Sequence, residues 1–230
     1  MIHKPIKFID PKTNQEKRRS EVTKTQLMRE MLETCRQNQI IFSWVLFDSW
    51  FSSIKNFEHI KIKGQKDFIG ALKSNRLVAL TPEDQLNGSF IRVDQIEWSE
   101  KEAITDWLKG MDFPVRLVRQ VFTNKDSSNG ILYLAGSKLN SLWDEITTIY
   151  KKRWKVEVFH KSLKSNAALA KSPARCIIPQ SNHLFASLVA VFKMECLKIS
   201  HHLNQFAWRA KLYLKAIKTA FYELQTFKAA

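Results

Sequence analysis

Hydrophobic positions recur with different rhythms along the 230 residues, and each rhythm predicts a different kind of element. Ile2 to Ile9 alternates loosely and reads as one strand. Between Glu21 and Gln37, the apolar residues Leu27, Met28, Met31 and Leu32 follow three- and four-residue spacings, the period of an amphipathic helix. Ile40 to Phe47 is an almost unbroken apolar run that stops at Asp48, the pattern of a strand buried on both faces of a sheet. A short helix over Ser53 to Lys63 and a second apolar strand over Asp67 to Leu72 follow. Strand, helix and strand at this spacing predict a parallel βαβ unit.

The rhythm shortens from Thr81 to Gly136, where turn signals (Pro82, Asn87-Gly88, Ser127-Ser128-Asn129-Gly130) separate short strands. Val115 to Phe122 and Ile131 to Ala135 read as the arms of a hairpin. This stretch is expected to be a mostly antiparallel insertion in an α/β core. From Leu139 onward the pattern is helical, with breaks at Ser172-Pro173 and Pro179. The last helix, Leu203 to Phe227, carries Arg209, Lys211, Lys215 and Lys218 among apolar residues. That arrangement reads as the solvated face of a packing helix in preference to a dedicated DNA contact.

Charge narrows the function. Thirty-seven Lys and Arg against 22 Asp and Glu leave a net charge of +15. Such an excess favours a polyanionic partner, nucleic acid first, over a merely soluble basic protein. Cys35, Cys176 and Cys196 form neither a CxxC pair nor a zinc spacing, so a reducing compartment and ordinary packing roles are expected of them. No signal-peptide core follows Met1. The most apolar stretch, Leu184 to Phe192, falls well short of the roughly 20 residues a membrane span needs. The expectation is a cytoplasmic protein with no membrane partner.

The segment Tyr150-Lys-Lys-Arg153-Trp-Lys-Val-Glu157-Val-Phe-His-Lys-Ser-Leu-Lys164 carries the candidate chemistry. On one continuous helix, Tyr150, Arg153, Glu157 and Lys164 share an arc of roughly 60° over about 21 Å. Ile149, Val156, Phe159 and Leu163 occupy a different, apolar face. Arg153 before Glu157 is the less favourable order for a helix-stabilising ion pair, which points away from a purely structural stripe.

This order and spacing (Tyr, two residues, Arg, three residues, Glu, six residues, Lys) resembles the signature of DDE transposases of the "insertion sequence four" family. Trp154, Phe159-His160-Lys161 and Leu163-Lys164 are similar to the same motif, and Val45-Leu46-Phe47-Asp48-Ser49-Trp50-Phe51 resembles the family's second aspartate motif. The resemblance covers about Pro5 to Leu197. It implies a ribonuclease-H-like (retroviral-integrase-like) α/β core for cut-and-paste DNA transposition. In such a core, carboxylates hold two divalent ions, Mg2+ (or Mn2+), for phosphodiester hydrolysis and strand transfer. Asp48 and Glu157 carry over as catalytic, metal-binding residues. Tyr150, Arg153, Lys164 and Lys161 carry over as groups on the DNA end. Trp50, Trp154 and Phe51 suit stacking on an extruded base, or equally the core. Double-stranded DNA, at transposon ends and target, is the implied partner, with a homodimer working on paired ends.

One departure matters. The family's first aspartate lies on a first core strand, and only 47 residues precede Asp48. His3-Lys4-Pro5-Ile6 resembles the end of the third core strand, so a core incomplete at its first strands, with an exposed edge, is expected. Asp10, in Ile9-Asp10-Pro11-Lys12, reads as a turn residue and not as a substitute ligand. The implied division is a partial core with Asp48 (1–80), a β-rich insertion (81–136), a core helix with Glu157 (137–172) and a helical carboxyl-terminal region (173–230). Such a chain is expected to be impaired or inactive as an enzyme by itself. The competing readings are a non-catalytic DNA-binding or dimerising remnant that modulates intact transposase, and a generic metal-dependent nuclease of the same fold.

Overall fold

A computed structural model describes residues 5–11, 13–124, 126–173, 175–202 and 204–228, and the chain divides into two compact units, Met1–Arg153 and Trp154–Ala230. The first unit opens with a hairpin: β1 (Pro5–Ile9) pairs antiparallel with β2 (Glu16–Ser20) in a two-stranded sheet of its own. The beginning of the expected first strand, with His3 and Lys4, lies outside the described residues. Asp10 sits in the connecting turn as expected. Its carbonyl accepts from the amides of Thr13 (3.2 Å) and Asn14 (2.8 Å), and its carboxylate pairs with Lys17.

α1 (Lys24–Gln37) starts where the Thr23 hydroxyl accepts the Gln26 amide at 3.2 Å, a side-chain cap. Its Met28 and Leu32 pack on the core, whereas Met31 is exposed. The βαβ unit then forms. β3 (Trp44–Phe47) leads into α2 (Ile54–Glu58), which continues as a π-helical turn over His59–Lys63, and β4 (Asp67–Leu72) returns parallel to β3. The register runs from Trp44↔Asp67 to Phe47↔Gly70. β5 (Leu77–Ala79), α3 (Pro82–Asn87), β6 (Ile91–Arg92), β7 (Ala103–Leu108), β8 (Val115–Thr123) and β9 (Asn129–Gly136) follow. The strand order is β3-β4-β9-β8-β7-β5-β6, and every pairing except β3–β4 is antiparallel. Residues 81–136 are therefore mostly antiparallel, as expected, and β9 lies directly beside β4 in one mixed α/β sheet.

Alternating side chains of β4 separate two cores. Phe68 and Leu72 face a cluster with Phe47, Phe57 and Ile60, while Ile69 and Ala71 face Ile146 and Tyr150 of α4 (Trp143–Lys151). On the first face the rings of Phe57 and Phe68 lie 4.8 Å apart, and Phe47 lies 5.7 Å from Phe57. Gly70 is what lets Phe47 lie flat across the strand pair: a Cβ there would fall 2.2 Å from the Phe47 ring.

Two expectations about this unit need correction. Only the last four residues of the Ile40–Phe47 run form strand, with Ile40 and Ile41 exposed, and of β3 only Phe47 is fully buried. The physical reason is position: β3 is the outermost strand and pairs only with β4 among the described residues. Nor is the Tyr150–Lys164 segment one helix. α4 gives way to a 3-10 turn at Lys152–Trp154 before α5 (Lys155–Ser165) begins. A 3-10 turn advances 120° per residue against 100°, so three such residues displace the shared arc by about 60°.

In the second unit, α5 is followed by a 3-10 turn (Leu169–Lys171), α6 (Ile177–His201) and α7 (Gln205–Lys228). Pro179 does not break the chain here. It sits in the first turn of α6, where its missing N–H has no intrahelical acceptor to lose. Leu163, Val191 and Met194 form the small buried core. Val156 and Phe159, expected on a packed stripe, are exposed, as are Phe185, Phe192, Phe221 and Leu224 on the long helices. Cys176 and Cys196 are also exposed, contrary to the packing role expected of them, and Cys35 is half-buried. Among the described residues no helix is long and apolar enough to cross a membrane.

Candidate active site

Parallel strands end at the same edge, so whatever follows β3 and β4 is brought together there. Asp48 is the first residue past β3. One of its carboxylate oxygens accepts the Trp50 amide at 3.0 Å, and its carbonyl accepts the Phe51 amide at 3.1 Å. This tight turn turns the Trp50 ring outward, 75% exposed, with the Lys24 ammonium 5.6 Å from its centroid. Phe51 packs against the core instead, so the aromatic pair splits into one exposed and one structural ring. Ser52 fastens the loop by donating its hydroxyl to the Ala71 carbonyl of β4.

Tyr150 approaches this turn from α4. It is buried, and its hydroxyl donates to the Phe47 carbonyl at 3.2 Å across 103 positions of sequence. Burial raises the phenol above its ordinary range; Arg153 opposes the shift and the Asp48 charge adds to it. The Arg153 guanidinium lies 5.7 Å from the centre of the Tyr150 ring. Asp48, Tyr150 and Arg153 thus form one cluster within the first unit, although two separate sequence motifs contribute them.

Trp154, Glu157, Lys161 and Lys164 belong to the second unit, and all four are exposed. Along α5, Glu157, Lys161 and Lys164 fall within an arc of about 60°. Glu157 precedes Lys161 by four residues, the favourable order for a helical ion pair. The helix therefore shows one acid flanked by two cations on one face.

Asp48 and Glu157 are chemically suited to a hard divalent ion. Among the described residues, however, no three His, Cys, Asp or Glu side chains gather as a metal site needs. Asp48 lies in the first unit and Glu157 in the second.

Sequence reasoning missed two features of the sheet edge. The Phe47 carbonyl anchors Tyr150, and no residue type announces such a backbone role. A cavity of about 390 Å3 also opens beside the Asp48 loop, lined by Ser49, Ser52, Lys73, Asn75, Arg76 and Lys109 among others. Its only sequence signal is a Lys-Ser-Asn-Arg turn following an apolar strand.

No curated protein matches the chain in sequence. A family described as archaeal putative transposase ISC1217 matches residues 2–205, which is most of the chain. With that match spanning both units, and with the cluster around Asp48 in the first, the chain belongs to this family of DDE transposases.

Proposed function

We propose that the protein binds double-stranded transposon-end and target DNA as the core of a cut-and-paste transposase, and that the chain alone does not cleave it. The observation that carries this reading is the convergence of Asp48, Tyr150 and Arg153 at the carboxyl edge of the β3–β4 pair. These residues come from the two motifs that resemble the "insertion sequence four" family. Asp48 and Glu157 are the proposed acidic pair for Mg2+ (or Mn2+) in a ribonuclease-H-like core. Arg153, Lys161 and Lys164 are the proposed phosphate contacts: Arg forks onto phosphate oxygens, and Lys supplies point charges. Trp50 and Trp154 are exposed rings free to meet bases. Tyr150 is buried, so its part is to hold the strand end that carries Asp48, not to touch DNA. The functional division proposed for the chain remains 1–80, 81–136, 137–172 and 173–230.

The proposed inactivity of the chain alone rests on ligand count, because the two motifs supply one Asp and one Glu. A two-metal phosphodiester site needs more carboxylate than one Asp and one Glu. The outer edge of β3 is where an added strand would bring a further acid beside Asp48. A second reading, a DNA-binding or dimerising module that modulates intact transposase, draws support from the exposed apolar residues of α6 and α7.

The test is to incubate the full chain with labelled duplex and Mg2+ or Mn2+, following binding and cleavage together. Salt-sensitive binding without cleavage is expected. Absence of binding at low salt would overturn the reading. Metal-dependent cleavage that survived both Asp48→Asn and Glu157→Gln would overturn the site assignment.

A further inference from the structure

Apart from Ser49, the residues lining the cavity at the carboxyl edge of β3 and β4 lie outside the segments that resemble the family motifs. The loop after β3 contributes Ser49 and Ser52, the turn after β4 contributes Lys73, Asn75 and Arg76, and Lys109 enters from the end of β7. Three cations, two hydroxyls and an amide line it, and no Asp or Glu among the described residues does. Its walls are held in place. The Arg76 amide donates to the Lys73 carbonyl at 3.0 Å, closing the turn, and the Arg76 carbonyl accepts the Val93 amide at 2.8 Å. Ser52 is tied to β4, and the Lys109 ammonium sits 5.3 Å from the centre of the Phe90 ring.

Arg76 is the informative member. Its Nε and Nη2 are buried and have no hydrogen-bond partner among the described residues. Burial holds the guanidinium below its ordinary pKa, in keeping with a cation lacking compensation. Both nitrogens are sealed from solvent, so an oxygen in the cavity reaches them only when the guanidinium turns outward, and the cost of burying unpaired charged donors favours that turn. Two parallel donors in a guanidinium plane match the spacing of two oxygens on one phosphate. Two flanking ammonium groups and the Ser49 hydroxyl suit the same tetrahedral anion. In open α/β sheets, ligands bind just beyond the carboxyl ends of the strands, where this cavity lies.

We propose that the cavity holds a backbone phosphate of DNA, with the Arg76 guanidinium turned outward to fork onto its oxygens, and so fixes the strand next to Asp48. This deepens the DNA-binding reading above and rests on it. The shared chemistry is a phosphate, which free phosphate would also offer, so the experiment has an arm for each.

The first arm measures binding of the full chain to a labelled duplex by fluorescence anisotropy over a salt series. The second measures melting temperature in inorganic phosphate against chloride at equal ionic strength. Arg76→Met keeps the apolar stem and removes the fork; Arg76→Lys keeps the charge and removes only the fork. Arg76→Met is expected to weaken duplex binding about tenfold and to lower the salt slope by about one. Its melting temperature without ligand is expected to match or exceed that of the unsubstituted chain, because the lost donors satisfy nothing in the protein. Arg76→Lys falls between the two. Lys198→Ala, which removes an equal charge from α6, changes affinity less than about threefold. If the unsubstituted chain binds duplex and Arg76→Met binds it equally well, the inference falls while the DNA-binding reading stands. If the unsubstituted chain binds no duplex, both fall. Arg76-dependent protection by phosphate without duplex binding would mark a small-anion site and overturn the DNA assignment. A lower melting temperature with unchanged binding would make Arg76 structural.

Discussion

Asp106 offers a test of the fold through its pH dependence. It lies on β7 on the same face as Ile104 and Leu108, is 2% exposed, and its Oδ2 has no hydrogen-bond partner among the described residues. Burial, and secondarily the negative charge of Glu102, raises its carboxyl from 3.8 to about 7. The sign follows from proton binding. Between pH 3.8 and about 7 the folded chain keeps this proton while the unfolded chain has lost it, so stability falls as pH rises through that window. At about 1.4 kcal/mol per pH unit, the full penalty above pH 7 is about 4 kcal/mol. That is a large part of the 5–15 kcal/mol typical of a domain. Asp106→Asn keeps the shape and cannot ionise. The variant is therefore expected to match the unsubstituted chain near pH 4 and to exceed it by about 4 kcal/mol at pH 8. Urea unfolding followed by tryptophan fluorescence at pH 4.5, 6 and 8 reads the difference directly. Working from the difference cancels the titration of groups that do not interact with Asp106. A stability difference that stays constant across this range, or an Asn variant less stable at pH 8, would refute the reasoning.

The site carries three further predictions. Tyr150→Phe removes the donor to the Phe47 carbonyl and is expected to cost about 1 kcal/mol in chemical unfolding; no change would mean the hydroxyl anchors nothing. Gly70→Ala drives a methyl into the Phe47 ring and is expected to cost about 1–3 kcal/mol, seen as a lower melting temperature. Arg153→Ala is expected to weaken duplex binding and lower its salt slope by about one, whereas Glu157→Ala leaves binding at least as tight; the reverse order in an anisotropy titration would exchange their roles.

How much of this could be read beforehand depends on whether the deciding forces are local. β4 and the β8–β9 hairpin lie close to their predicted bounds, because each is an apolar run closed by turn residues. The end of α4 is different. Lys151-Lys152-Arg153-Trp154 contains neither Gly nor Pro, and Lys and Arg are good helix formers, so nothing nearby marks the 3-10 turn that divides the signature segment. Ile40-Ile41 misled for a related reason: apolar periodicity cannot tell a central strand from an outermost one, and strand order is a tertiary fact.

The candidate site divides along the same line. Asp48 and the Tyr-Arg-Glu-Lys spacing are visible because chemistry fixes both residue types and intervals, yet the bond from Tyr150 to Phe47 spans 103 positions and leaves no local trace. Arg76 looks like any cation in a polar turn; only the burial of its guanidinium nitrogens sets it apart. Even so, its location follows from something the sequence does contain. A strand–helix–strand pattern implies parallel neighbours, and parallel neighbours end at one edge. The residues after Phe47 and those after Leu72 must therefore meet, which places Asp48 and Ser49 near Lys73 to Arg76 before any coordinate is known. A basic turn following the second strand of such a pair is for that reason a stronger pointer to an anion site than the same four residues elsewhere in the chain.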